Sequence, residues 1–380
     1  MGNTRKIKCY LTSPVFRDIA DHPMLSERNK KEILKLWKRL EEVTDLRVSK
    51  ERFPSDEEIT NQIRNWGAQI IGCHLSHPIT SEMLKGSDVV AVCTSTVGYN
   101  HIAQEPGIII THTPGVLHQT VADFTIAVIL ASLRNIVYLH NFVWNGNWKS
   151  GQKWDLDENL NCTMSNLTLG IVGMGEIGKE VTKRIYHWGV KILYYDVKQQ
   201  KEFENYFSNI QFIDSLEEIF TQSDIVSLHV PLVDVTHHLV NEDLLKKMKK
   251  GALLVNTARG SVINFDDLVR LLENREIEIN LAFDVYEQEP IEDKILLRLK
   301  KIVEKTPRLR FVFIPHNASA DANTRAQMAI MFLEDIITIA ISTEGRNLSS
   351  LRLIPEQRFT QIDGLYESWK IKARWEKKKK

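Results

Sequence analysis

At 380 residues the chain exceeds what one hydrophobic core usually supports, so two domains are expected. Its 49 basic and 49 acidic side chains cancel, leaving no overall field that would draw it onto nucleic acid or a membrane surface. The start, Met1 to Lys6, has no apolar signal core, and the nearest thing to a spanning run, Ile126 to Leu133, stops at Arg134, well short of the roughly 18 residues a bilayer needs.

Four widely spaced cysteines, Cys9, Cys73, Cys93 and Cys162, argue for a reducing compartment rather than a disulfide framework, so a cytoplasmic protein is expected. Cys73, His74 and His77 form a CHxxH cluster, but no second pair of ligands stands at zinc-site spacing, and no metal is expected. The closing Trp375 to Lys380 reads as a solvated basic tail.

In chain order, Lys6 to Thr12 reads as a first strand. Ser26 to Glu42 follows as a helix whose Ile33, Leu34, Leu36, Trp37 and Leu40 form a core stripe. Apolar segments at Ala68 to Cys73 and Val89 to Thr94 continue an α/β pattern, the second ending in a loop at Val97-Gly98. Thr113-Pro114-Gly115 breaks the chain before a long helical pattern from Thr120 to about Trp144. From Leu167, strands and helices alternate: Thr168 to Val172, Lys191 to Tyr195, Ile225 to Val230, Ala252 to Asn256, Ile279 to Phe283 and Phe311 to Ile314 are the strands. That regularity predicts a doubly wound parallel sheet. Thr324 to Ile341 reads as an amphipathic helix returning to the first domain, and after Leu351 the periodicity fades. The expected domains are 1–113 with 318–350, then 114–317, then a tail over 351–380.

Gly173-Met174-Gly175-Glu176-Ile177-Gly178 matches GxGxxG directly after an apolar strand and at the opening of a helix. In that context glycines allow a tight turn, backbone approach to a pyrophosphate, and close helix–strand packing. The next strand ends at Asp196, 18 residues beyond Gly178. A carboxylate there accepts from both ribose hydroxyls and repels a 2′-phosphate, favouring NAD over NADP, although Lys198 blurs the preference.

Ligands of open parallel sheets bind beyond the carboxyl ends of the strands. There the sequence places Thr257-Ala258-Arg259-Gly260, then Asp284 to Pro290 with Glu289, then Pro315-His316-Asn317-Ala318-Ser319. Singly, each has a bland reading as an ion pair, a solvated carboxylate or a loop histidine. Together with the glycine motif they resemble the D-isomer-specific 2-hydroxyacid dehydrogenase family, in which GxGxxG, NxxRG, DVxxxEP and PH occur in this order. The resemblance runs from about Asp88 to Ala329 and includes Val97-Gly98-Tyr99-Asn100-His101-Ile102, the helix opening Gln119 to Asp123, and His229-Val230-Pro231-Leu232 with Thr236.

The resemblance implies a Rossmann NAD domain inserted in a smaller, flavodoxin-like α/β substrate domain. It implies hydride transfer between nicotinamide and C2 of a 2-keto acid, with His316 as acid and base, Glu289 orienting the imidazole and favouring its charged form, and Arg259 binding the carboxylate and polarising the keto oxygen. Backbone amides of Val97 and Gly98 would take the rest of the carboxylate. The cofactor set carried over is Thr120, the turn residues Gly173, Gly175, Glu176, Ile177 and Gly178, then Asp196, Val230 and Pro231, and finally Thr257, Ala258, Asp284, His316 and Ser319.

The chain departs from the family at Asn100, His101 and Ala103, at Ala318 where Gly is common, and at Asp321 where Thr is common. Twenty-four residues separate Pro290 from Pro315, with a basic, helix-like insertion from Lys294 to Arg310. Phosphoglycerate-type members often have Arg at the position of Thr94 and carry a further carboxyl-terminal domain, so a small unphosphorylated acid, glyoxylate or hydroxypyruvate, is preferred. Glu289 argues against the formate dehydrogenase branch, which has Gln there. The alternatives are a phosphoglycerate-type dehydrogenase and a non-catalytic NAD-sensing interaction protein of the same fold. The long helix and Asn145-Gly146-Asn147-Trp148 resemble the family's dimer-forming region, which implies a homodimer.

Overall fold

A computed structural model of the chain describes residues 6–153, 155–342 and 350–358. The first five residues and the basic run Trp375 to Lys380 lie outside the described residues. The chain divides into two compact units, Met1–Leu117 with Ala320–Lys380, and His118–Ser319.

The first unit holds five parallel strands: β1 (Ile7–Leu11), β2 (Thr44–Val48), β3 (Ile70–Cys73), β4 (Ala91–Thr94) and β5 (Ile109–Thr111). Their order, β2-β1-β3-β4-β5, is the flavodoxin-like one. Every residue of β3, β4 and β5 is buried, the continuous apolar signature of strands covered on both faces. The helix Glu27–Val43, capped by Ser26 accepting from the Asn29 amide, buries Ile33 and Leu40. Leu36 and Trp37 pack at the edge of that core, but Leu34 is exposed and leaves the expected stripe.

The helix Ala322–Ile341 packs against Glu27–Val43 and against β3 and β4. It is buried on most of its surface, from Ala326 through Ile339, so it is a core helix rather than the amphipathic one its sequence suggested. Asp321, one of the departures noted above, caps it by accepting from the Thr324 amide at 2.8 Å. Gly72 sits where a Cβ would strike the side chains of Leu11 and Phe332, which lets this helix close onto the sheet.

The expected tail begins too early. Leu353 bridges Thr111 in antiparallel fashion, and Ile354 and Gln357 are fully buried against β5. A bare edge strand must find partners for its peptide groups, and this segment supplies them.

The second unit has seven parallel strands: β6 (Thr168–Val172), β7 (Lys191–Tyr195), β8 (Ile210–Phe212), β9 (Ile225–Leu228), β10 (Leu253–Asn256), β11 (Asn280–Phe283) and β12 (Phe311–Phe313). The order β12-β11-β10-β9-β6-β7-β8 reverses between β6 and β9, the doubly wound arrangement with its crevice at that point. The long helix expected from Thr120 to Trp144 is instead two, His118–Leu133 and Ile136–Trp144, bent by 64°. Asn135, at φ +54° in the left-handed region, makes the break. No single helix among the described residues is long and apolar enough to cross a membrane. The basic insertion forms the helix Asp293–Lys305, which buries Leu299 and Ile302 in the unit's core and ties Arg298 to Glu273.

Candidate active site

The turn after β6 is shaped by its glycines. Gly173 has φ +98°, and a Cβ there would also press on the His229 carbonyl. At Gly178 a Cβ would collide with the Gly173 carbonyl, so this residue is what brings the helix Glu176–Ile185 onto the strand. Gly175 differs, because a Cβ on it would meet no protein atom. Packing does not demand glycine at that position, whereas close approach of a ligand to the backbone at a helix N-terminus does. Asp196 stands just after β7, with Oδ2 accepting from the Met174 amide at 2.7 Å, so its carboxylate is held at this turn. Glu176 and Ile177 open the helix, Glu176 largely solvated and 4.0 Å from His118.

Val230 and Pro231 follow β9 by way of His229, which is gripped at Nε2 by Ser227 Oγ (2.9 Å) and pulled down to about 4 by burial. The ring is therefore neutral. Thr120 lies in the first turn of His118–Leu133, and Thr125 of the same helix meets Thr257 Oγ1 at 2.8 Å.

Beyond β10 the buried Asn256 staples its own turn. Its Oδ1 accepts from the Ala258 amide (3.0 Å) and its Nδ2 donates to the Arg259 carbonyl (2.9 Å). Arg259 is further fixed by donating from Nη1 to the Ala258 carbonyl at 2.7 Å. Burial lowers its pKa, and the Glu289 carboxylate works against that shift. Gly260 allows no side chain at all, since a Cβ would lie 1.8 Å from the Tyr286 backbone. The turn carrying Arg259 and the turn carrying Glu289 are thereby pressed together.

Glu289 Oε2 meets His316 Nδ1 at 2.6 Å, and Glu289 Oε1 accepts from the Tyr286 amide at 3.1 Å. Burial alone would raise the Glu289 pKa, but His316, the Tyr286 N–H and Arg259 outweigh it and hold the group below its ordinary range. His316 itself has φ +49°, a left-handed conformation costly for a side chain with a Cβ. Asp284 stabilises that turn: buried at the end of β11, it accepts from the Asn317 amide at 2.6 Å and the Ala318 amide at 2.9 Å. Burial raises its pKa while those two amides pull the other way. Ser319 closes the same turn.

All three chemical side chains thus meet in one unit, on adjoining strand ends. The residues that sequence reasoning passed over are the braces, above all Asn256, whose place at a buried strand end before a sharp turn was the available signal.

In the first unit, Val97 and Gly98 lie in the loop after β4. Thr96 Oγ1 donates to the Gly98 carbonyl (2.7 Å), and Thr94 Oγ1 lies 2.7 Å from Thr96 Oγ1. Of the CHxxH residues, His74 and His77 lie against each other as tilted rings, centroids 3.9 Å apart and planes at 39°, with His77 Nδ1 held by Thr12 Oγ1 at 2.6 Å. Burial first, then His77, His101 and Arg325, pull His74 down to about 3, and burial lowers His77 as well. Among the described residues no three His, Cys, Asp or Glu side chains converge as metal ligands.

A family model described as "D-isomer specific 2-hydroxyacid dehydrogenase, NAD binding domain" matches residues 126–318. A glyoxylate reductase of Thermofilum pendens is 38% identical over 307 residues, covering 79% of this chain and 86% of the relative. The chain belongs to the D-isomer specific 2-hydroxyacid dehydrogenase family. As a member it is a nicotinamide-dependent dehydrogenase acting on 2-hydroxy and 2-keto acids. A second glyoxylate reductase, from Korarchaeum cryptofilum, is 36% identical, covering 79% of this chain and 87% of that one. Among solved structures, a glyoxylate reductase from Paecilomyes thermophila superposes with a TM-score of 0.72 at 26% identity, over 93% of this chain and 99% of its own.

Proposed function

We propose that this dehydrogenase reduces a small unphosphorylated 2-keto acid, glyoxylate first and hydroxypyruvate next, with NADH preferred over NADPH. The single observation that carries the chemistry is the Glu289–His316 pair beside Arg259. A carboxylate accepting at Nδ1 leaves the Nε2 proton of the imidazolium for the substrate's keto oxygen, so His316 protonates that oxygen as it turns into a hydroxyl. Glu289, kept ionised, holds the ring's orientation and balances its charge. Arg259, anchored through the Ala258 carbonyl, offers its remaining donors to the carboxylate and keto oxygen. The amides of Val97 and Gly98 bind the carboxylate as well. The nicotinamide, when bound, supplies the hydride for C2.

For the cofactor, Gly173, Gly175, Glu176, Ile177 and Gly178 would hold the pyrophosphate, with Asp196 accepting from the adenosine ribose. Thr120, Val230, Pro231, Thr257, Ala258, Asp284, His316 and Ser319 would line the path of the rest. Glyoxylate is favoured by the names of the relatives at 32–38% identity and by Thr94 where phosphoglycerate-type members often have Arg. The protein would act as a cytoplasmic homodimer. Its four free cysteines suit a reducing compartment, and the exposed Tyr138, Trp144 and Trp148 give the region after the helix break an apolar surface of dimer-forming character.

The test is turnover of glyoxylate, hydroxypyruvate, pyruvate and a phosphorylated keto acid with NADH and with NADPH. Tight NADH binding with no turnover of any acid overturns the catalytic reading, and a preference for the phosphorylated acid overturns the substrate assignment.

A further inference from the structure

The carboxyl-terminal residues expected to be a tail reach the Val97–Gly98 loop. Arg358 Nη2 lies 2.8 Å from His112 Nε2, and His112 Nδ1 lies 2.8 Å from the Val97 carbonyl oxygen. A guanidinium only donates, so Nε2 is the acceptor nitrogen, the ring is neutral and Nδ1–H donates to Val97. Burial acts on His112 in the same direction, lowering its pKa.

The Val97 carbonyl and the Gly98 N–H belong to one planar trans peptide. Pulling the carbonyl toward His112 therefore aims the Gly98 N–H the opposite way and, by polarising the amide, strengthens it as a donor. Tyr99 stands edge-on to His112, centroids 5.5 Å apart, and donates from Oη to Glu356 Oε1 at 3.0 Å.

We propose that Arg352 to Arg358 is a positioning strap, which through Arg358–His112 and Glu356–Tyr99 orients the Val97–Gly98 peptide to receive the substrate carboxylate. This rests on the reading of Val97 and Gly98 as carboxylate ligands. His112 and Arg358 are positioning residues and touch no substrate. The strap has its own anchor: Gln357 accepts from the Ile110 amide at 2.9 Å and donates to the Ile108 carbonyl at 3.0 Å, and the Ile354 amide donates to Ile110. Removing the Arg358 side chain therefore leaves the segment seated.

The experiment compares wild type, Arg358→Ala and Arg358→Lys by keto-acid kinetics, NADH binding and amide hydrogen exchange. In Arg358→Ala, loss of the bond to His112, together with the one from Nε to the Leu353 carbonyl, predicts faster exchange at Gly98 and Tyr99, and a keto-acid KM raised about five- to tenfold with kcat and NADH affinity little changed. Arg358→Lys, which keeps a donor, recovers much of the loss. Unchanged exchange in the loop overturns the strap. So does a uniform loss in which β4 and β5 exchange, melting temperature, kcat and KM all shift together, since that is a merely structural role. Faster loop exchange with unchanged KM leaves the tether standing but overturns its functional part, by removing Val97 and Gly98 as carboxylate ligands.

Discussion

The two units brace their strand-end turns in different ways. In the second, Asn256 reaches three positions along the chain to Arg259, Tyr286 reaches three to Glu289, and Asp284 holds the turn after the adjoining strand. In the first, the loop with Val97 and Gly98 has one local bond, from Thr96 to the Gly98 carbonyl, and is otherwise braced from afar by Glu356 and Arg358, the former 257 positions from its partner Tyr99. Local bracing rigidifies the groups that do chemistry, while distant bracing makes a binding loop depend on the unit being completely folded. The difference predicts that damage to the turns carrying Arg259, Glu289 and His316 falls mainly on kcat, and damage to the Val97–Gly98 loop mainly on the keto-acid KM.

The largest effect is expected at Arg259. Arg259→Ala should lower kcat/KM for keto-acid reduction by about 10²- to 10³-fold with NADH binding retained, the scale of losing an oriented donor to the reacting oxygen. Arg259→Lys should restore little, because one ammonium cannot copy a planar fork. Near-normal kinetics in Arg259→Ala would remove it from the mechanism and leave the second unit with no claim on kcat at this position.

Next come the braces. Asp284→Asn turns one acceptor into a donor facing the Asn317 or Ala318 amide, so one buried N–H loses its partner at a cost of about 1–3 kcal/mol. The strained His316 turn should loosen and kcat fall about tenfold or more, with KM little changed; a change confined to KM would break the contrast between units. Glu289 sharpens the same point through pH. Its folded pKa is depressed, so its ionised form and the stability it adds persist above the unfolded value of about 4.3 and are lost only as pH falls through the lower folded value. Reduction by wild type should then show no acid limb from Glu289 at or above that range, and Glu289→Gln should lose activity at every pH tested. A Glu289-dependent limb near neutrality would contradict the pairing seen with His316.

A smaller effect is expected at Asp196. Asp196→Ala should raise KM for NADH about tenfold while leaving NADPH nearly unchanged, the consequence of removing a ribose acceptor that also repels phosphate. An unaltered ratio between the two cofactors would show that Asp196 serves only the Met174 amide.

What could be read from the sequence follows the same division. Strands of both sheets built on unbroken apolar runs, β3 and β6 for example, are legible, and so are the turns after β6, β10 and β12, because GxGxxG, NxxRG and PH are local patterns. The three-residue strands β5 and β8 are too short to register, and β2, although it alternates, follows the helix Glu27–Val43 with no break to announce it. The helix break at Asn135 is not legible even though Arg134-Asn135 interrupts the apolar run, because two polar residues are ordinary on a helix face and only a left-handed φ at one residue makes the break. Nothing local marks Arg358 as a partner of His112, and the sequence around it reads as tail because its burial is created by a strand edge far away in sequence.

The last test asks whether the strap's near end is as conditional as its far end. Arg352 donates to Asp335 Oδ1 at 2.9 Å, and Asp335 is 2% exposed with Oδ2 lacking a partner among the described residues. Burial raises its pKa to about 6 despite the Arg352 charge. The unfolded value is about 3.9, so between roughly pH 4 and 6 the folded chain holds a proton that the unfolded chain has released, and stability falls as pH rises through that window. Asp335→Asn cannot titrate. Denaturation measured from pH 4 to pH 7 should therefore show wild type losing about 2–3 kcal/mol relative to the variant as pH rises, the energy of a shift of roughly two units. Because the charged carboxylate holds Arg352 most strongly above that window, the strap should grip hardest where burial of the charge costs the fold most. Parallel stability curves would show that Asp335 is already ionised throughout and that Arg352 fully offsets its burial. The first unit would then be braced as firmly against acid as the second.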